Sequence, residues 1–320
     1  MRRLFIKIAG LALTGALVSA CGGSNDPGTL AEEASARGFS ALVAASTKAG
    51  LVPALSSSSS NLTVFAPTDA AFTSLATTLG FASATTMVNT LDSATLAKIL
   101  QYHVLPTAKS AAQLAAGGAT QSTLYTFEGA ASTLAVSSTG GVKLTDELLT
   151  QAMVTTADVS ASNGVIHVID KVLVPPGVLD IVQMAKLNPT FSVLVEAVVA
   201  ANLANALSGA GPLTVFAPTN DAFTAALTEL SLTKAQLLAS PSLPDILTYH
   251  VVDGSVRAAD VVALPKPASV GTLQGSTFSV GTTLAITDGR TRVANLVATD
   301  VIAKNGVIHV IDKVLLPPSN

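Results

Sequence analysis

Asn163-Gly164-Val165-Ile166-His167-Val168-Ile169-Asp170-Lys171-Val172-Leu173 returns unchanged as Asn305 through Leu315, and each copy continues through an apolar residue into Pro-Pro. Identity over a run of this length marks a duplicated unit, so repetition governs the reading of the sequence around it. Working outward, Thr63-Val64-Phe65-Ala66-Pro67-Thr68 recurs as Thr214 through Thr219, and Tyr102-His103-Val104 as Tyr249-His250-Val251. Phe39-Ser40-Ala41-Leu42-Val43 is matched by Phe191-Ser192-Val193-Leu194-Val195. The separation shrinks along the chain, which places the length differences in the connections between motifs.

Each motif has a physical reading. Leu62 to Phe65 is a short β-rich run closed by Pro67, which has no N–H for a ladder. Thr68 or Asp69 then caps a helix that turns Phe72, Leu75 and Leu79 inward. Phe39, Leu42 and Val43 mark an earlier amphipathic helix, and Leu96, Ile99, Leu100 and His103 a later one ending near Pro106. Thr277-Phe278-Ser279-Val280 alternates as a strand does. Ala152–Val159 and Val165–Leu173 are expected as a hairpin turning at Asn163-Gly164, since both residue types tolerate positive φ. Helices first and strands later give an α+β class.

The three repeated blocks, in this order, resemble the fasciclin (FAS1) family. The resemblance spans residues 29–175 and 177–318. It implies two tandem domains, each a β-wedge of two sheets flanked by helices. Thr272-Leu273-Gln274-Gly275 is similar to a further stretch of the family, and Thr123-Leu124-Tyr125-Thr126 stands as its divergent counterpart in the first repeat. The repeats meet at Val174-Pro175-Pro176-Gly177, a link expected to be stiff because consecutive prolines favour an extended helix.

Residues 1–20 begin with Arg2-Arg3, continue in an apolar run too short for a comfortable membrane span, and end Val18-Ser19-Ala20 before Cys21. This resembles a bacterial lipobox, with residues 1–20 as signal peptide and Cys21, the single cysteine of the chain, as lipid attachment site. Residues 21–28 read as a flexible tether. The implied location is the cell envelope, by a lipid anchor in the membrane, with the domains periplasmic or extracellular. Gly22, where an Asp would signal retention in the inner membrane, points to the outer membrane if the host is Gram-negative.

Composition narrows the function classes. Hydrophobic residues make up 49% of the 320, charged residues 12%, and the formal net charge is -3. A nucleic-acid partner needs clustered Lys and Arg, which are missing here. All four histidines fall in repeated motifs. His167 and His309, within apolar strands, read as structural, and no spacing around them forms a zinc set, so no metal or cofactor is expected. No Gly-x-Ser-x-Gly elbow or phosphate loop occurs, and no catalytic residues are assigned.

The family resemblance points to Tyr102, His103, Tyr249 and His250 as partner-binding residues, because the Tyr-His segment is linked to cell adhesion in animal members. Asp245-Ile246, a pair associated with adhesion there, joins them. The same apolar spacing also fits core packing. Beyond these motifs the repeats diverge, and Glu128, Lys143, Asp146 and Glu147 in one, with Lys266, Arg290 and Arg292 in the other, are expected at the surface. The functional expectation is a non-catalytic adhesion or matrix-binding lipoprotein whose partner is a cell-surface or matrix protein or a polysaccharide. A small-molecule or metal-binding envelope protein and a passive structural component are the alternatives.

Overall fold

The computed structural model describes residues 26–263 and 265–319. The expected signal peptide, Cys21 and the tether up to Asn25 lie outside the described residues. The first domain runs through α1 (Leu30–Ala36), α2 (Ser40–Lys48), α3 (Val52–Leu55), β1 (Leu62–Pro67), α4 (Asp69–Thr78), α5 (Ala84–Thr90) and α6 (Ser93–Tyr102). It continues with β2 (Val104–Leu105), α7 (Ala111–Ala116), β3 (Thr120–Phe127), β4 (Ala130–Ser137), β5 (Lys143–Thr145), β6 (Gln151–Ala161) and β7 (Gly164–Ile169). The second repeats the plan with α8 (Ile181–Leu187), α9 (Ser192–Ala200), α10 (Ala204–Leu207), β8 (Leu213–Pro218), α11 (Asn220–Leu230), α12 (Lys234–Leu238) and α13 (Leu243–Tyr249). Then come β9 (Val251–Asp253), α14 (Ala258–Ala263), β10 (Ala268–Gly271), β11 (Thr277–Val280), β12 (Ile286–Thr287), β13 (Val293–Ala294), β14 (Leu296–Ala303) and β15 (Gly306–Ile311).

The expected α+β wedge is present twice. In the first domain the strand order is β2-β1-β7-β6-β5-β4-β3. Strand β6 is long enough to pair with β7 at one end and β5 at the other, so it joins the two halves of the wedge. In the second domain Asn295 separates β13 from β14, and the halves are distinct four-stranded sheets. The repeated blocks lie side by side, β1 parallel to β7 with Phe65 opposite His167, and β8 parallel to β15 with Phe216 opposite His309. One apolar core fills the space between the sheets and the helical layer, and a second fills the inside of each wedge. Helix α4 starts on Thr68, whose hydroxyl accepts the N–H of Ala71, which settles the cap between the two candidates.

Two local expectations are corrected. The closing hairpin pairs Ala161 with Gly164, so its turn residues are Ser162 and Asn163. Gly164 serves the neighbouring strand instead: a Cβ there would stand 2.2 Å from the Leu62 carbonyl oxygen. The counterpart of Thr272-Leu273-Gln274-Gly275 is Thr126-Phe127-Glu128-Gly129, since each tetrad closes the hairpin between corresponding strands, β10 to β11 and β3 to β4. Thr123 to Thr126 lies inside β3.

The link between domains is fixed by burial rather than by proline stiffness alone. Val174, Pro175 and Pro176 are all buried. The Val174 N–H donates to Asp146 Oδ2 at 2.9 Å and the Tyr125 hydroxyl to the Pro176 carbonyl at 3.0 Å. Across the junction, Ile302 on the open edge of β14 donates its N–H to Glu147 Oε1 at 2.6 Å and accepts the Gly177 N–H at 3.0 Å. A strand edge that would otherwise present unpaired groups is thereby covered by the other domain and the link.

Candidate functional site

Helix α6 is amphipathic, and its last turn delivers Tyr102 and His103 to the seam between the two cores. Both are 1% exposed, and their counterparts Tyr249 and His250 are 0% and 3% exposed. Every polar atom of these side chains has a use inside the fold. The Tyr102 hydroxyl donates to Thr133 O at 3.0 Å, and Tyr249 to Thr277 O at 2.8 Å. His103 Nδ1 donates to Ile99 O at 2.7 Å, and its Nε2 accepts the Leu173 N–H at 2.9 Å. His250 repeats this with Ile246 O at 2.7 Å and the Leu315 N–H at 2.8 Å. Burial lowers both imidazoles to about 4, so they are neutral at ordinary pH.

This corrects the partner-binding role given to Tyr102, His103, Tyr249 and His250. A side chain enclosed on all sides and fully hydrogen-bonded has no face to offer a partner. The family resemblance led there, while the Leu and Ile at helical spacing around Tyr-His, which also fitted core packing, are the core faces of α6 and α13. Asp245 is exposed in the first turn of α13 and Ile246 is half-buried. Those two remain at the surface.

His167 and His309 occupy equivalent internal positions. His167 Nδ1 accepts the Asp158 N–H at 3.2 Å and Nε2 donates to Lys109 O at 2.8 Å, while the ring stacks on Phe65 with centroids 5.8 Å apart. His309 does the same with Asp300, Val256 and Phe216. These partners require the proton on Nε2, whereas His103 and His250 carry it on Nδ1. Among the described residues no group of three His, Cys, Asp or Glu side chains is placed to hold a metal ion.

Asn163, which sequence reasoning used only as a turn residue, is a hub. Its Oδ1 accepts the Leu30 N–H at 2.8 Å, and Nδ2 donates to Leu55 O and Ser57 O, both at 2.9 Å. Asn305 ties Ile181, Leu207 and Gly209 in the same way. The signal was available: the amide opens the longest identical run, where a turn alone would accept several residue types.

The charged residues expected at the surface divide into two groups. Glu128 and Arg290 are exposed, and Glu128 pairs with Arg257 at 2.5 Å across the domain junction. Asp146 is buried at 5% exposure, Glu147 is half-buried, and the Arg292 side chain is 12% exposed. Arg292 Nη2 meets Asp288 Oδ2 at 2.7 Å and its Nη1 meets Glu229 at 3.0 Å. Asp146 and Arg292 are therefore parts of the architecture. Burial, with the nearby Asp146 and Asp300 carboxylates, pushes Glu147 up to about 7 against the opposing pull of the Ile302 N–H.

A cleft of about 790 Å³ runs between the domains, lined by apolar side chains such as Phe81, Phe127 and Leu91 and by Glu128, Arg257 and Lys304. Its walls mix apolar and charged groups, and its size is that of an ordinary ligand-binding cleft.

Comparison with known proteins places these features in a family. The Fasciclin domain family matches residues 37–175 and 189–317. Protein sll1483 of Synechocystis is 47% identical over 146 residues, which is 44% of this chain and 74% of that protein. Transforming growth factor-beta-induced protein ig-h3 of Sus scrofa is 37% identical over 166 residues, 51% of this chain and 23% of that protein, so the chain spans less than a quarter of its length. The solved FAS1 domain pair from the insect cell adhesion molecule Fasciclin I aligns over 89% of this chain and 98% of that one, at 20% identity and a TM-score of 0.46. With both repeats matched by the same domain and the wedge present twice, the chain belongs to the fasciclin-domain family.

Proposed function

We propose that this protein is a non-catalytic adhesion or matrix-binding lipoprotein, anchored through Cys21 to the cell envelope and engaging a protein or polysaccharide through the surface around its domain junction. One observation carries the reading. The polar groups of the shared Tyr-His and hairpin motifs that chemistry would use are bonded inside the fold, which leaves recognition to surfaces that differ between the domains. Fasciclin domains occur in cell-adhesion and matrix proteins, which supports an adhesive role in general. The interdomain cleft supplies a concave face with Lys304 and Glu128 exposed at its walls. Charges so placed tune encounter and specificity more than raw affinity.

The test is binding of the delipidated protein to envelope, matrix and cell fractions at two salt concentrations, comparing wild type with Lys304→Glu. Saturable, salt-sensitive binding weakened by the charge reversal is expected. A folded protein with no saturable binding to any fraction would leave the structural reading in its place. Anchoring is tested separately: Cys21→Ser releases the protein from the membrane fraction or leaves an unprocessed precursor, and unchanged partition with normal cleavage overturns the lipid anchor.

A further inference from the structure

The two domains share one pocket and fill it differently. In the first, a cavity of about 150 Å³ lies beneath α1, α2 and α3 and above β1. Its floor is Leu42, Val64, Leu100 and Val104, all buried, and its mouth is formed by Ala31, Thr47 and Val52. In the second domain the corresponding walls, between α8, α9, α10 and β8, leave about 30 Å³. The substitutions account for the direction of the difference. Val182 stands for Ala31 and Val198 for Ser46, both adding bulk, while Ala204 for Val52 removes what the first of these adds, so Val198 supplies the net gain. The fold itself therefore does not require the hole.

A pocket of this volume with mainly aliphatic walls accepts an apolar guest of roughly benzene size. Left empty, its lining loses the dispersion contacts that a filled interior has. The lining has no charged group and no aromatic ring, and Ser46 is the buried polar side chain among the described wall residues. Such walls do not suit an ion. They suit a flexible hydrocarbon segment whose polar head stays outside.

We propose that the first-domain cavity is a binding site for the alkyl end of an amphiphile, and that the second domain has lost the equivalent site by filling it. The shared chemistry is a saturated chain entering between α1 and α2 past Ala31 and Thr47. It could come from a free fatty acid or from a bilayer lipid.

The experiment uses methyl-labelled full-length protein in solution, titrated with decanoate in one arm and phosphatidylcholine vesicles in the other. Methyl signals of Ala31, Leu42, Val43 and Val64 are expected to shift saturably while those of Val182, Val198 and Val215 stay in place. A response to decanoate assigns a free chain, and a response to vesicles alone assigns a bilayer source. Ala31→Val with Ser46→Val, which installs the second domain's residues, is expected to weaken the response at least roughly tenfold. Ser46→Val alone is the smaller change, and its partial loss carries the test if the double variant does not fold. No shift with either probe, equal shifts in both domains, or undiminished binding by the folded variants would overturn the proposal.

Discussion

His103 Nε2 accepts the backbone N–H of Leu173 at 2.9 Å, across 70 residues of chain, and so holds the segment that leads out of β7 against the end of α6. The bond needs a neutral ring, because the other nitrogen already donates its proton to Ile99. Acid therefore attacks the fold here. The folded-state value, lowered to about 4, lies below the unfolded value near 6.5, so the stabilisation is fully present above pH 6.5 and is lost as pH falls through 4. His250 repeats the arrangement in the second domain. A loss on the order of 3 kcal/mol per domain is expected between those limits, read by denaturant titration at stepped pH. His103→Phe should flatten that dependence for the first domain. A variant with the wild-type acid profile would show that another group controls it.

The asparagine hub gives a sharper mutational contrast. Asn163→Ala removes one acceptor and two donors from a side chain that is 2% exposed, leaving three backbone groups without their partner. A buried group left unpaired costs about 1–3 kcal/mol, so a loss of about 3 kcal/mol or more is expected in the first domain. Asn163→Asp keeps the acceptor for Leu30 but turns the amide donor into a carboxylate facing two carbonyl oxygens, and should be at least as damaging at neutral pH. Equal stability of both variants and the parent, measured by urea unfolding, would remove the hub role.

Glu147 makes the domain junction sensitive to pH in the opposite direction from the histidines. Its carboxyl is raised to about 7 by burial beside Asp146 and Asp300, so the folded protein prefers the protonated form. That stabilising contribution is complete below about pH 4.5 and is lost as pH rises through 7. Glu147→Gln keeps a carbonyl oxygen for the Ile302 N–H without the charge. It should stabilise the junction by about 1 kcal/mol at pH 8 and change little at pH 4, visible in the thermal transition of the full chain. A greater benefit in acid than in base would reverse the sign of the argument.

The fold was legible because repetition and periodicity report burial patterns directly. The Thr-Val-Phe-Ala-Pro-Thr and Asn-Gly-Val-Ile-His-Val-Ile blocks became the paired central strands, and Thr68 became the cap. The candidate site was less legible for a physical reason. Leu96, Ile99, Leu100 and Tyr102 at helical spacing define a face but not what covers it, and here the helical layer covers the first three while the wedge interior takes Tyr102. Charge was equally ambiguous, because composition does not reveal that Asp146 and Asp288 sit where a chain end must be gripped. Asp288 and Arg292 face each other across the turn between β12 and β13 rather than along a helix, so their spacing of four did not announce the pair.

That pair yields the last prediction. Asp288, buried at 5% exposure, accepts the N–H groups of Arg290, Arg292 and Leu316, and its charge is met by Arg292 Nε at 3.0 Å and Nη2 at 2.7 Å. Asp146 grips the first domain's exit through the same backbone positions, Leu148, Thr150 and Val174, but has the Thr150 hydroxyl at 3.1 Å where the second domain has the guanidinium. Removing the Arg292 guanidinium would leave a buried carboxylate with backbone donors alone. Breaking a buried pair from one side typically costs about 3–5 kcal/mol, so Arg292→Gln should destabilise the second domain on that scale. Arg290, two residues away and exposed, bonds through its side chain to the Pro317 carbonyl at 3.3 Å, a long surface contact. Arg290→Glu is expected to stay within about 0.5 kcal/mol of the parent, as surface changes usually do. Urea unfolding of the two variants decides the matter: equal midpoints would mean that the backbone donors suffice to hold Asp288 in place, and that the arginine belongs to the surface after all.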